Sequence, residues 1–412
     1  MSKTSNIALV LSGGGARGAY EAGALRYILD VVPKSLGRPV RFSIISGTSV
    51  GAINAAWVAA TLNDPQRSVQ RLWYLWRTLR FSEVVGISYT DLWRMFRSLV
   101  GEDTILRPRH TATGSREGGF LKTNFFDSLL RREIPFHNVQ RNIERGLLDA
   151  VSVSATDIVS GKTTVFIQSR EQTLPPWTRD FRRVAVAGPI TADKVLASAA
   201  IPLLFPAVKI GQHWFCDGGI RQNTPMSPAL RLGADKLLVL SLQNRPAMPP
   251  MTPFAGAPGH NVAHPKLSFV LGKLLDAVLL DPLDYDLSVL ARINALIEHG
   301  EEAFGDESFL DKINEVVRAH RGQDYRFVDY LLLRSSYDLG KIAADVAMSA
   351  PDSFWGSPIM RRICQGAADT GEHRESDLMS YLLFDGRYTG QLLDLGYNDA
   401  RARHDELVEF LS

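Results

Sequence analysis

Six residues, Ser46-Gly47-Thr48-Ser49-Val50-Gly51, constrain this chain more than any other stretch. Before them stands Arg41-Phe42-Ser43-Ile44-Ile45, whose β-branched and aromatic side chains favour a strand. After them stands Ala52-Ile53-Asn54-Ala55-Ala56, small and apolar, which favours a helix. Between the two, Gly47, Ser49 and Gly51 spell G-x-S-x-G. A strand that turns into a helix through this pattern reads as a nucleophile elbow, a strained turn that lifts one serine hydroxyl clear of a sheet. Its glycines let neighbouring backbone run close by. The plainer reading of the same residues is an ordinary strand-to-helix turn, with Ser49 as the helix cap.

The start of the chain repeats the arrangement. Ile7 to Leu11 is a continuous apolar run, which suits a strand buried on both faces, as in a parallel sheet. It breaks at Ser12-Gly13-Gly14-Gly15-Ala16-Arg17-Gly18, and a helical pattern follows through Ala19, Ala22, Gly23, Leu25, Ile28 and Leu29. Strand, loop and helix twice in succession predict an α/β fold with a mainly parallel sheet. The glycine loop has two readings. Gly13, Gly15 and Gly18 match the G-x-G-x-x-G of dinucleotide-binding loops. That fingerprint also wants an acidic residue at the end of the second strand, and Arg41–Ile45 has none. Alternatively, consecutive glycines at a helix N-terminus turn backbone N–H groups into one cavity and form an oxyanion hole.

The 412 residues suffice for a large core and one or two domains. A net charge of +2 gives no overall push towards nucleic acid or a membrane. The two cysteines, Cys216 and Cys364, offer neither a disulfide framework nor zinc spacing, which suits a reducing compartment. Met1 to Asn6 carries no long apolar leader, and Ala55 to Leu62 is too short to span a bilayer. The expectation is a cytoplasmic protein.

Asp64-Pro65 reads as a helix cap followed by proline at the first position. Val69, Leu72, Trp73, Trp76 and Leu79 then recur at helical spacing, as do Leu92, Trp93, Phe96 and Leu99. Residues 66–109 hold eight arginines against four acids. Aromatic, basic helices over 66–100 suit peripheral contact with an anionic membrane; the alternative is that their tryptophans pack inward. Residues 104–123 read as a loop. Val151–Ala155 and Thr163–Ile167 read as strands joined across Ser160-Gly161-Lys162, and Leu196–Ala200 as a helix end. Pro206–Ile210, a turn at Gly211-Gln212 and His213–Cys216 form the next hairpin, which ends in Asp217-Gly218-Gly219. Leu237–Leu242 is a further buried strand. Residues 245–265, rich in Pro, Gly, Ala and Met, read as a linker or lid. Helices follow near 266–280, 287–300 and 307–320, then a strand at 326–333 and more helices from 339. The expected division is a catalytic domain at 7–244, the linker, and a mainly helical region at 266–412.

A serine hydroxyl needs a base. None of the nine histidines sits in a motif that announces one. A carboxylate touching the serine directly can replace histidine. Asp217, at a strand end and flanked by glycines, is the best candidate, with a simple Asp-Gly turn as its plain reading. A histidine triad on soluble esters stays open, with His260, His264 or a later histidine in the order Ser…Asp…His.

Taken together, G-G-G-A-R-G at 13–18, G-T-S-V-G at 47–51 and D-G-G at 217–219 resemble the patatin-like phospholipases, as do Ala197-Ser198-Ala199-Ala200-Ile201-Pro202 and Asn223-Thr224-Pro225. The tail ending Ser380-Tyr381-Leu382-Leu383-Phe384-Asp385 resembles longer bacterial members. The resemblance implies a three-layer α/β/α sandwich and a Ser49–Asp217 dyad. It implies an oxyanion hole of Gly13, Gly14 and Gly15, with Arg17, Gly18, Gly47, Gly51, Gly218 and Gly219 as supporting motif residues. The implied reaction is hydrolysis of (phospho)lipid acyl esters through an acyl-enzyme. Lipid is then the partner, and no metal, cofactor or nucleic acid is called for.

Overall fold

Ile7–Leu11 forms β1, with every residue buried. Its side chains alternate: Ile7, Leu9 and Leu11 join the larger core on one face, and Ala8 and Val10 a second core on the other. A strand with two buried faces has no polar side, which is why it reads as an unbroken apolar run. The computed structural model describes residues 6–81, 123–171, 174, 181–202, 205–244, 283–304, 308–321, 324–351 and 377–412.

Strand β2 (Ile44–Thr48) and, further along the chain, β8 (Lys236–Ser241) flank β1, both parallel to it. Next to β2 lie β3 (Ala150–Asp157), β4 (Thr163–Ser169) and β5 (Arg183–Ala187). Here β3 is parallel to β2, β4 antiparallel to β3, and β5 parallel to β4. The hairpin of β6 (Val208–Ile210) and β7 (His213–Asp217) leans on β3, antiparallel through β7. On the far side, β9 (Asp329–Arg334) runs parallel to β8 and extends the sheet. The order is β5-β4-β3-β2-β1-β8-β9, a mostly parallel sheet.

Helices cover both faces, so the architecture has three layers. The helices Ala19–Asp30, Val50–Thr61, Pro65–Thr78 and Gly386–Ala402 build the larger core. On the other face, Met226–Arg231 and Leu283–Phe304 contribute Met226, Ala229, Leu283, Leu287 and Leu290. Each leucine or methionine side chain taken out of water is worth roughly 1.5–3 kcal/mol. The Ala19–Asp30 and Gly386–Ala402 helices cross with backbones nearly touching, because Gly23 lies on the Leu393 carbonyl and Gly396 on that of Tyr20.

The structure moves some sequence boundaries. The strand expected at 41–45 runs instead from Ile44 to Thr48, because its register on β1 pairs Ala8 with Ile44 and Leu11 with Gly47. Phe42 is buried without being part of the ladder. Strand β5 was not anticipated: its apolar run, Val184-Ala185-Val186-Ala187, is short, and at the sheet edge both valines stay exposed. Asp64 caps its helix as expected, accepting from the Arg67 amide. Val69, Leu72 and Trp76 of that helix point into the core. The face at 92–99, the linker at 245–265 and the helix at 266–280 lie outside the described residues, as does the loop at 104–123 except for Thr123, which begins a helix running to Glu133. Among the described residues, no helix is long and apolar enough to cross a membrane.

Candidate active site

The turn after β2 is built under strain. Ser49 has φ 54° and ψ −125°, and among the described residues it is the only non-glycine with positive φ. Such a backbone costs on the order of 1–3 kcal/mol and persists only when its surroundings impose it. Here they do. The Ser49 amide donates to Ser198 Oγ at 2.8 Å, and that hydroxyl donates to the Ser154 carbonyl of β3 at 2.6 Å. Any side chain on Gly47 would strike the Gly51 carbonyl, and one on Gly51 would strike those of Leu11 and Ser12. Ser49 stands where a helix cap would, yet its hydroxyl caps nothing. Instead, Ser49 Oγ donates to Asp217 Oδ2 at 2.6 Å, which corrects the plain cap reading.

Asp217 is placed by backbone. It ends β7 opposite Ala155 of β3, its amide donates to the Ala200 carbonyl, and its carbonyl accepts from Thr156 Oγ1. Its second carboxylate oxygen, Oδ1, accepts from the Gly219 amide at 2.7 Å, across the tight turn at Gly218–Ile220. Gly218 itself packs on the Ser154 carbonyl and the Thr48 methyl. The carboxyl is fully buried. Burial raises its pKa from 3.8 to about 7, against the opposing pull of the Ser49 and Gly219 hydrogen bonds. A carboxyl titrating near neutrality can take and return a proton there.

The glycine loop departs from expectation at one residue. The Gly13 amide donates to the Asn223 carbonyl at 3.1 Å, and Asn223 Nδ2 donates back to the Gly13 carbonyl. Gly13 is therefore clamped, and its N–H is already spent. Gly14 and Gly15 have no acceptor for their amides among the described residues. Gly15, at φ 57°, lies against the Tyr381 carbonyl, and Gly18 against the Val50 side chain. Arg17 is buried and engaged by the C-terminal segment: Nε donates to Ser380 Oγ at 2.7 Å, and its guanidinium sits 4.2 Å from the centre of the Tyr381 ring.

Glu21 was missed by sequence reasoning. This fully buried carboxylate accepts from the Ser12 amide at 2.8 Å and from Asn54 Nδ2 at 2.9 Å. Trp76 Nε1 in turn donates to Asn54 Oδ1. The glycine loop and the elbow helix are thereby tied together. The available signal was a lone acid among small, apolar residues. Burial drives its pKa well up.

Ser49 opens onto a narrow apolar cleft, lined by Ile53, Phe126, Leu130, Leu196, Phe205 and Phe384 among others. No histidine ring bonds to Ser49 or Asp217 among the described residues; His213 is turned to Asp157 instead, at 2.9 Å. His260 and His264 lie outside the described residues.

Fold and site define a mostly parallel α/β protein in which an elbow serine meets a buried carboxylate at the carboxyl ends of the strands, where such sheets place their sites. Residues 9–230 match the family model of the patatin-like phospholipases, and the chain belongs to that family. The cGAMP-activated phospholipase of Pseudomonas aeruginosa (strain BWHPSA011 / Pa011) is 30% identical over 219 residues, covering 53% of this chain and 53% of that protein. The chain thus matches about half the length of that relative. Among solved structures, human GIVD cytosolic phospholipase A2 in complex with methyl gamma-linolenyl fluorophosphonate has a TM-score of 0.41 at 11% identity, over 98% of this chain and 58% of that one. VipD of Legionella pneumophila has a TM-score of 0.29 at 14% identity, over 95% and 67%. Likenesses this distant carry no functional argument.

Proposed function

We propose that this chain hydrolyses carboxylic esters of lipids (phospholipid, lysophospholipid or neutral lipid) by acyl transfer through Ser49. The observation that carries this reading is the 2.6 Å hydrogen bond from Ser49 Oγ to a buried Asp217, beside an apolar cleft. Asp217 takes the hydroxyl proton as Ser49 attacks the acyl carbonyl. The tetrahedral oxyanion is received by the amides of Gly14 and Gly15, at a helix N-terminus that favours negative charge. Asp217 then returns the proton to the leaving alcohol, which frees the acyl-enzyme. Water enters, Asp217 accepts its proton, and the fatty acid leaves as the proton passes back to Ser49.

Two observations favour this reading over its rivals. Ser49 Oγ donates straight to Asp217 Oδ2 at 2.6 Å, so no imidazole ring stands between the two. The glycine loop is held by Asn223 and pressed by Tyr381, a poor cradle for a dinucleotide. Peripheral membrane contact belongs to the same proposal. With Val69, Leu72 and Trp76 inside, the Pro65–Thr78 helix turns Arg67, Arg71 and Arg77 outward; Arg71 and Arg77 already pair with Glu133 and Asp394, so an anionic surface would compete with those acids for them.

The test is free fatty acid release from diacyl phospholipid vesicles, lysophospholipid, triacylglycerol and a short soluble ester, with Ser49→Ala alongside. Serine-dependent release from at least one lipid is expected. Equal release by both proteins would overturn the assignment of Ser49.

A further inference from the structure

Phe384 lies outside residues 9–230, the span matched by the family model, yet it forms part of the wall of the cleft that opens at Ser49. Its ring is buried, packed edge-on to Phe126 at 5.1 Å and stacked on Trp76 at 6.2 Å; Phe126 meets Phe205 at 5.8 Å. Three aromatic rings from three distant parts of the chain therefore line one side of the cleft.

The segment carrying Phe384 is fastened at both ends. On one side, Arg17 donates to Ser380 Oγ at 2.7 Å and to Tyr381 Oη at 3.3 Å, and stacks on the Tyr381 ring. On the other, the Phe81 amide donates to Asp385 Oδ2 at 3.0 Å, the Gly386 amide to the Leu79 carbonyl at 2.8 Å, and Thr389 Oγ1 to the Trp76 carbonyl at 2.6 Å. An aromatic ring on so tightly held a segment does not yield to a longer chain. Well-packed walls respond to single methylenes.

We infer that Phe384 determines the acyl-chain size this site accepts, and that Arg17 acts as a positioning residue that fixes the Phe384 wall through Ser380 and Tyr381. This inference rests on the acyl-hydrolase reading above for its substrate, but not for its geometry. It also assigns the buried arginine of the glycine loop a task away from the lipid headgroup.

The experiment has two arms. In the first, kcat/KM is measured on p-nitrophenyl esters from C4 to C16 for wild type, Phe384→Leu, Phe384→Trp and Arg17→Lys, each checked for cooperative melting. Phe384→Leu is expected to raise the C16-to-C4 ratio on the order of tenfold, the scale on which apolar pockets sense size. Phe384→Trp is expected to lower it, and Arg17→Lys to raise it. A purely structural role for Arg17 would scale all chain lengths alike. In the second arm, an environment-sensitive fluorescent fatty acid is displaced by fatty acids from C4 to C16, in Ser49→Ala with and without Phe384→Leu. A ratio unmoved within twofold in both Phe384 variants, with Ser49-dependent turnover present, overturns the wall and leaves the hydrolase reading intact. Absence of Ser49-dependent turnover together with a chain-length shift in binding upholds the wall and overturns the hydrolase reading. Binding that is absent, or flat with chain length, overturns the wall.

Discussion

Asp217 and Asp157 belong to one antiparallel ladder, the first opposite Ala155 and the second opposite Phe215. Both residues are buried. Asp217 receives two neutral donors, the Ser49 hydroxyl and the Gly219 amide, and burial pushes its pKa up to about 7. Burial pulls Asp157 the same way, but the Ser160 amide, the Ser160 hydroxyl and His213 outweigh it and hold that carboxyl below its ordinary value. By residue type, the Asp157–His213 pair looks the more catalytic of the two, yet the His213 side chain is 69% exposed. Strand position and residue type therefore do not set where a carboxyl titrates. Dehydration without enough donors raises the pKa, because it is the charged form that burial penalises.

The sharpest way to break this contrast is to remove each carboxylate's charge in turn. Asp217→Asn is expected to cost on the order of a thousandfold or more in kcat/KM for a short ester, comparable to Ser49→Ala, by analogy with other serine nucleophiles deprived of their base. Asp157→Asn should stay within about twofold; an equal loss in both would end the distinction. Wild-type kcat/KM should also climb with pH through a step near 7, as Asp217 ionises.

Stability should respond with opposite signs. Folding raises the Asp217 pKa from 3.8 to about 7. The folded state thus holds that proton more tightly, and stabilisation present below pH 3.8 is lost as the pH rises through 7. At pH 8, Asp217→Asn should be more stable than wild type by up to on the order of 4 kcal/mol, and the gap should close towards pH 4. Asp157 behaves conversely: its lowered pKa gives stability above the ordinary carboxylate range, lost as the pH falls. Asp157→Asn should cost about 1 kcal/mol at pH 7, the worth of a weakened buried hydrogen-bond set. Smallest of all, His213→Ala should shift stability by roughly 0.5 kcal/mol or less, because the ring is solvated, and should leave ester hydrolysis unchanged. Chemical denaturation across pH 4 to 9 measures all three.

The features legible in the sequence are those whose cause is local. The run Ile7–Leu11, the elbow around Ser49, the β6–β7 hairpin and the strand-end position of Asp217 each follow from neighbours in the chain. Three things were not legible, because their partners lie far away in sequence. The Gly13 amide is taken by Asn223, the Arg17 guanidinium is turned to Ser380 and Tyr381, and Phe384 lines the cleft. No period or spacing announces such contacts; only the closed fold brings them together. Ser198 lies between these cases: it stands in the Ala197–Pro202 motif, but its partner, the strained Ser49 amide, is 149 residues away in the chain.

One consequence concerns the ribosome. Strand β8 completes the flank of β1, and its own outer edge pairs with β9, which follows the helices Leu283–Phe304 and Ser308–Arg321 in the chain. During synthesis, a nascent chain that already holds both Ser49 and Asp217 presents Leu237–Leu240 as an open, fully apolar hydrogen-bonding edge. Such edges recruit other strands. That edge stays open from the making of β8 until β9 is made, and slowing translation across this interval should raise the aggregated fraction.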